Sequence, residues 1–144
     1  MIMSKLKLYL DDVRVPKDNS WILVKDYGEF VSTILKHGLE SFDTISLDHD
    51  LGETAMAEYF NNVYPNYELN YDNIKEKTGL DCAKWLVNHY LEKPKENFTF
   101  PLVYTHSANP IGSANIMGYI NNFLKNMRQP QTCIRVRIDH TINE

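Results

Sequence analysis

Asp48-His49-Asp50 sets two carboxylates around an imidazole, directly after the apolar run Ile45-Ser46-Leu47 and directly before Leu51-Gly52. Three ionisable groups in a row are expensive to bury unless they are paired, metal-bound or in contact with solvent. Such a cluster suits a divalent cation or a phosphate; the plainer alternative is a solvated turn that bends at the glycine. The arrangement recurs. Leu6-Lys7-Leu8-Tyr9-Leu10 alternates as a strand does and runs into Asp11-Asp12, with Arg14 and Pro16 just beyond. Phe100-Pro101-Leu102-Val103-Tyr104 runs into Thr105-His106-Ser107 and then Asn109-Pro110. Open parallel sheets bind ligands outside the carboxyl ends of their strands, so strands ending in these three clusters would deliver them to one crevice.

Carboxylates gathered at one rim suit Mg²⁺ or Mn²⁺, which prefer oxygen ligands. Asp11, Asp12 and Asp48 are the expected ligands, with Asp50 either a ligand or hydrogen-bonded behind them. A bound cation would neutralise phosphate charge and activate water. His106 is the first candidate for general acid or base, because imidazole titrates near neutrality; tying down its own loop is the alternative. His49 is the second candidate. Neighbouring strand residues point to opposite faces, so one of Asp48 and His49 turns away from the rim unless the loop bends first. Arg14 is placed to clamp a phosphate or else to pair with Asp11 or Asp50. Ser107 and Asn109 are candidate side-chain donors, and the N–H groups after Asn109 open a helix where an anion could sit. Asn109 alternatively acts only as a cap.

The elements that would position these groups follow from periodicity. Trp21-Ile22-Leu23-Val24 reads as a second strand, with no convincing helix between it and the first. Asp26 and Glu29 form a capping-box pattern ahead of Phe30, Val31, Ile34 and Leu35, and Gly38 fits the stop. The segment 53–77, rich in Tyr and Asn, lacks clear periodicity and reads as an irregular insertion after the third strand, placed to act as a lid. Its Tyr and Asn side chains could stack on and hydrogen-bond a base, or pack the insertion on itself; Ala55 to Asn62 could equally form a helical turn or two. Thr78-Gly79-Leu80-Asp81 is a second capping box, opening a helix that stops before Pro94. Pro110 suits the first position of a third helix, which ends at Gln129-Pro130. Ile134, Val136 and Ile138 alternate with polar residues as a half-buried edge strand. His37 and His89 read as helix residues, Arg135 and Arg137 as facing solvent or a partner, and His140 follows the last strand without an assigned role. The expectation is one α/β domain over residues 1–144. It has three layers around a doubly wound, five-stranded, mainly parallel sheet in flavodoxin-like order 2-1-3-4-5, which seats the first and third strands side by side.

Composition narrows the partners. Of the 144 residues 43% are hydrophobic, enough for a folded core, and the formal charge of -4 argues against an extended nucleic-acid face. A pocket for one nucleotide or one RNA end remains open. Cys82 and Cys133 have no metal-ligand spacing and read as reduced thiols. No apolar run reaches membrane-spanning length and no secretory segment is evident. The expected setting is the cytoplasm of a bacterial or phage-infected cell.

The constellation resembles a response-regulator receiver domain. Asp11 and Asp12 match the acidic pair that holds Mg²⁺ there, Asp48 the phosphoacceptor, and Thr105 the hydroxyl residue ending the fourth strand. The lysine a receiver carries after its fifth strand is absent from Gln129 to Glu144, and His49, Asp50, His106 and Asn109 are not receiver features. More closely, Leu8 to Pro16, Ser46 to Gly52, Thr78 to Asp81 and His106 to Gly112 are similar to the motifs of the cyclic-phosphate processing receiver-like family. That resemblance implies handling of cyclic phosphates on nucleotides or RNA. The expected function is therefore a metal-dependent phosphoesterase acting on a cyclic or terminal phosphate of a nucleotide or RNA end. The alternatives are a module that sequesters a cyclic nucleotide without cleaving it and, weakest, a phospho-switch at Asp48.

Overall fold

The structure is a computed structural model that describes residues 5–92, 99–137 and 141–143. Its strands are β1 (Leu6–Leu10), β2 (Arg14–Pro16), β3 (Trp21–Val24), β4 (Phe42–Leu47), β5 (Leu102–Thr105), β6 (Ile134–Arg135) and β7 (Thr141–Asn143). Five of them form one sheet in the order β3-β1-β4-β5-β6, with every neighbouring pair parallel. This is the flavodoxin- and receiver-like sheet expected, with β1 and β4 side by side. A separate antiparallel ribbon pairs β2 with β7; strands of three residues are too short to show alternation in sequence. Ile138, Asp139, His140 and Pro94 lie outside the described residues.

The helices are α1 (Tyr27–His37), α2 (Glu53–Glu58), α3 (Tyr64–Asn66), α4 (Gly79–Glu92) and α5 (Pro110–Asn126). The long ones begin where side chains satisfy their open N–H groups. Asp26 accepts from Glu29 N–H at 2.8 Å, Asp81 from Thr78 N–H at 2.8 Å, and Asn109 from Gly112 N–H at 2.9 Å. Gly38 ends α1 at φ 87°, in the left-handed region that glycine tolerates best.

α1 packs on α4, and α4 on α5. The three connections β3-α1-β4, β4-α4-β5 and β5-α5-β6 all step the same way across the sheet, and right-handed crossovers in one direction lay their helices on one face. That face is the core, where Leu8, Leu10, Ile45, Leu47 and Val103 meet Phe30, Ile34, Leu86 and Ile120. The connection stepping the other way, β1 to β3, contains β2 and no helix. Strand residues of the opposite parity therefore face away from α1, α4 and α5. Ile134 is among them: it is 49% exposed while Cys133 is buried, the reverse of what alternation in the last strand suggests. Burial pushes the Cys133 thiol up to about 12; both cysteines are free. Among the described residues no helix is long and apolar enough to cross a membrane.

The insertion is helical in its first half. α2 runs into a π-helical turn at Tyr59–Val63 and then α3. Buried Glu58 organises it, accepting from Asn62 Nδ2 at 2.9 Å, Asn70 N–H at 2.9 Å and Asn73 Nδ2 at 2.8 Å. The Asn70 main-chain bond is the largest of the effects holding the Glu58 carboxyl below its usual value. These asparagines fold the insertion upon itself, while Phe60, Tyr64 and Tyr67 stay exposed.

Gly79 and Gly118 make a matched test of packing. A β-carbon on Gly79 would overlap the Asp48 carbonyl oxygen, whereas one on Gly118 meets nothing within 4 Å. Gly79→Ala should destabilise the domain by about 3 kcal/mol through overpacking, and Gly118→Ala should stabilise it by about 1 kcal/mol through helix propensity. Urea denaturation of both variants checks the pair.

Candidate functional site

Parity along the strands sorts the polar residues at the rim. β1 and β4 pair Tyr9 with Ser46, and β4 and β5 pair Ser46 with Tyr104. Continuing that parity by two residues gives Asp11, Asp48 and His106, all on the side away from the core helices. Three carboxylate oxygens, one each from Asp11, Asp12 and Asp48, lie within 4.8 Å of one another. His49 turns the other way, toward α5, where a β-carbon on Gly112 would run into its ring.

Asp11 is anchored on every side. Its Oδ1 accepts from the N–H groups of Val13 and Arg14, each at 2.9 Å. Its Oδ2 meets His106 Nε2 at 3.0 Å and lies 3.7 Å from Arg14 Nε. Burial pushes the Asp11 carboxyl up, but the His106 bond, the two main-chain bonds and the Arg14 charge outweigh it and hold the pKa below the ordinary 3.8. Asp48 and Asp12 go the opposite way. Burial first, and then the charge of Asp11, raise both above 3.8, Asp48 well above it. The Ser107 side chain hydrogen-bonds Asp48 and opposes the rise only weakly.

These donors fit a hard divalent cation. They are all carboxylate oxygens, and Asp12 Oδ1 is buried with no hydrogen-bond partner among the described residues, as befits an atom kept for an ion. Asp50 sits beside this group rather than in it. Its Oδ1 meets His49 Nδ1 at 2.6 Å and Asn109 Nδ2 at 3.2 Å, and its Oδ2 lies 3.4 Å from the same Asn109 nitrogen.

The two histidines are fully buried, and both nitrogens of each are engaged. His106 bridges Asp11 and Ser46 Oγ, the latter at 2.7 Å, with Tyr9 stacked on its ring at 4.2 Å. His49 bridges Asp50 and the Tyr71 hydroxyl at 2.8 Å, and that hydroxyl also accepts from Asn115 Nδ2 at 3.0 Å. Asn109 Oδ1 caps α5, which aims its Nδ2 at Asp50, and Asn115 donates to the Tyr71 hydroxyl that meets His49 Nε2. In this geometry His106 holds Asp11 and His49 holds Asp50, the kind of hydrogen bonding that fixes ligands around metals.

Other expected contacts are also redirected. The Thr105 hydroxyl meets Ser113 Oγ at 3.4 Å, on the core side of the sheet. The N–H groups of Ile111 and Gly112 are taken by Asn109 Oδ1, so they are not open to an anion. Arg135 turns inward and donates to the Ser107 carbonyl at 3.0 Å, bracing the loop after β5. Arg14 keeps one resource: its Nη1 is buried without a partner among the described residues. Sequence reasoning passed over Ser46, Tyr71 and Asn115. Ser46 had a signal, a polar residue inside an apolar strand; Tyr71 lay in a stretch without periodicity.

A model of the cyclic-phosphate processing receiver domain matches residues 6–122. The chain belongs to that family. The match runs from β1 into α5 and takes in the three-carboxylate group, both histidines and the insertion. No curated protein matches the chain, and no solved structure does.

The opposed pKa shifts give the domain a characteristic pH profile. Asp12 and Asp48 have raised folded-state values, so their contribution to stability is present while they are protonated and is lost as pH rises through those values. Asp11, with a lowered value, contributes above 3.8 and loses that contribution as pH falls. In chelator the melting temperature should peak on the acid side of neutrality. Mn²⁺ should lift it at neutral pH, and Asp48→Asn should raise the chelated value while abolishing the Mn²⁺ response. Thermal melts across pH, with and without Mn²⁺, check this; equal Mn²⁺ responses in variant and wild type would contradict it.

Proposed function

We propose that this domain is a divalent-cation-dependent phosphoesterase acting on a cyclic or terminal phosphate of a nucleotide or RNA end. One observation carries the reading. The buried rim holds an acceptor without a partner, Asp12 Oδ1, and a donor without a partner, Arg14 Nη1, among the described residues. The first suits a cation and the second a phosphate oxygen. Family membership supports the same class of substrate.

When bound, Mg²⁺ or Mn²⁺ would be held by Asp11, Asp12 and Asp48 and would supply charge neutralisation at phosphorus and activation of water. The chain's own residues do the rest. Arg14 binds the phosphate from beside Asp11, at 3.7 Å from that carboxylate, so phosphate and cation share one rim. His106, fixed by Ser46 and Tyr9, holds the Asp11 carboxylate in one orientation. Asn109 and His49 do the same for Asp50, whose charge adds to that felt by Asp12 and Asp48. In the reaction water adds to phosphorus, one ester P–O bond breaks, and the departing ribose oxygen takes up the proton that water gives up, leaving a phosphomonoester from a cyclic phosphate and free phosphate from a terminal one.

Receiver-type phosphorylation of Asp48 is less well supported, since residues 129–144 contain no lysine and Asp48 is 2% exposed. The test is incubation with 2′,3′- and 3′,5′-cyclic nucleotides in Mg²⁺ or Mn²⁺, with products separated chromatographically. Turnover should fall to background in Asp48→Asn and in chelator. His106→Asn should cost about 10–100-fold by loosening Asp11. Tight binding with the ligand recovered intact would instead assign the domain to sequestration.

A further inference from the structure

A cavity of about 430 Å³ opens between β2, the loop that follows it and the edge strand β3. Val15, Pro16, Trp21 and Leu23 supply its apolar walls, with Asn19 among the polar residues beside them. Small-molecule pockets have this size and this mixture, chiefly apolar with a few polar groups. Leu23 is 45% exposed, so apolar surface is on offer there. The indole of Trp21 is held in place: the Tyr9 ring meets it edge-on at 5.4 Å, and Lys7 Nζ lies 4.6 Å from its centroid.

The cavity lies on the carboxylate side of the sheet. β1 and β3 pair Lys7 with Trp21 and Tyr9 with Leu23, so both wall residues share the parity of Asp11. Leu23 is level with Tyr9, two residues short of Asp11, which is about 7 Å at the usual rise of a strand. Two bonds join the walls to Asp11 itself. Its N–H donates to the carbonyl of Val24, the neighbour of Leu23, at 3.0 Å. Its Oδ1 accepts from the N–H of Arg14, the neighbour of Val15, at 2.9 Å. The strand that carries Arg14 therefore carries the opposite wall as well. A phosphate held by Arg14 and a cation has this cavity within the reach of one ribose.

Charge selects the occupant. The charged residues lining the cavity are Lys17 and Asp18, adjacent and of opposite sign, and Asp18 Oδ1 also accepts from Ser20 N–H at 2.9 Å and from the Ser20 hydroxyl. A lining without net charge does not favour a second phosphate; it suits a flat, neutral ring. The Asn19 side chain is exposed and makes no hydrogen bond among the described residues, which leaves its amide to donate and accept at the edge of such a ring.

We propose that this cavity receives the nucleobase of the nucleotide whose phosphate occupies the carboxylate rim. The domain then selects nucleotides, free or at the end of an RNA, over phosphates that lack a base. Cleavage at the rim rests on the phosphoesterase reading; seating of the base requires only that the phosphate binds there.

The test compares the full chain with its Asn19→Ala/Leu23→Gln variant, which alters two exposed side chains without changing charge. Calorimetry in Mg²⁺ measures binding of 2′,3′-cyclic AMP and of inorganic phosphate to each, and the ligand is then recovered and chromatographed. The variant should bind the nucleotide at least fivefold more weakly and phosphate within twofold of wild type. A second readout uses Trp85→Phe, which leaves Trp21 as the single tryptophan of the chain. Its emission should change saturably with the nucleotide and stay constant with inorganic phosphate. Unchanged nucleotide affinity in the double variant, equal losses for the two ligands, or a Trp21 emission indifferent to the nucleotide would overturn the subsite. Nucleotide that binds with the expected Trp21 response yet is recovered intact would sink the phosphoesterase reading alone. Should Trp85→Phe fail to fold, the calorimetric comparison decides by itself.

Discussion

Like-charge repulsion at a buried rim is the constraint around which this domain is arranged. Asp11, Asp12 and Asp48 bring three carboxylate oxygens within 4.8 Å of one another, with Asp11 and Asp48 almost wholly buried. Coulomb energy grows as the effective dielectric falls, so three full charges cannot coexist there cheaply. The protein resolves the conflict unequally. Two main-chain N–H groups, His106 and the Arg14 charge serve Asp11, which keeps its charge. Asp48, with the His49 N–H and the Ser107 side chain, and Asp12 have pKa values that burial and Asp11 raise. A site balanced in this way is incomplete until positive charge enters it.

The sheet separates the two histidines that serve this rim. Asp48 and His49 are adjacent in sequence, yet one faces the carboxylates and the other reaches α5 and the insertion. His106 secures Asp11 from β5, 95 residues away in the chain. His49 secures Asp50 and, through Tyr71, fastens the insertion to the domain. Gly112 has to lack a side chain because the His49 ring occupies that space. Gly79 has to lack one because α4 starts against the Asp48 carbonyl. Both glycines are therefore consequences of where the imidazole and the strand end must lie.

Much of this was legible in the residues themselves. The alternation in β1, β4 and β5, the caps at Asp26, Thr78 and Asn109, and the strand order all rest on local patterns, and local patterns are what a sequence displays openly. The gathering of Asp11, Asp12 and Asp48 followed from topology plus the rule about strand ends. The partners of the histidines did not follow. Whether an imidazole is free or committed depends on partners such as Ser46, 60 residues from His106, and Tyr71, 22 residues from His49. The insertion was unreadable for a related reason: its helices are held by one buried carboxylate, Glu58, and by scattered asparagines, with little apolar periodicity. Ile134 misled because alternation shows that a strand has two faces and cannot show which face the helices cover.

That one-sided covering bears on function. With α1, α4 and α5 all on the core face, the reactive carboxylates continue the other face of the sheet, where Tyr9, Ser46 and His106 stack and hydrogen-bond beneath them. The rim is thus built from the ends of paired strands, with Asp11 held by His106 across the sheet and Asp50 linked through His49 to Tyr71 of the insertion.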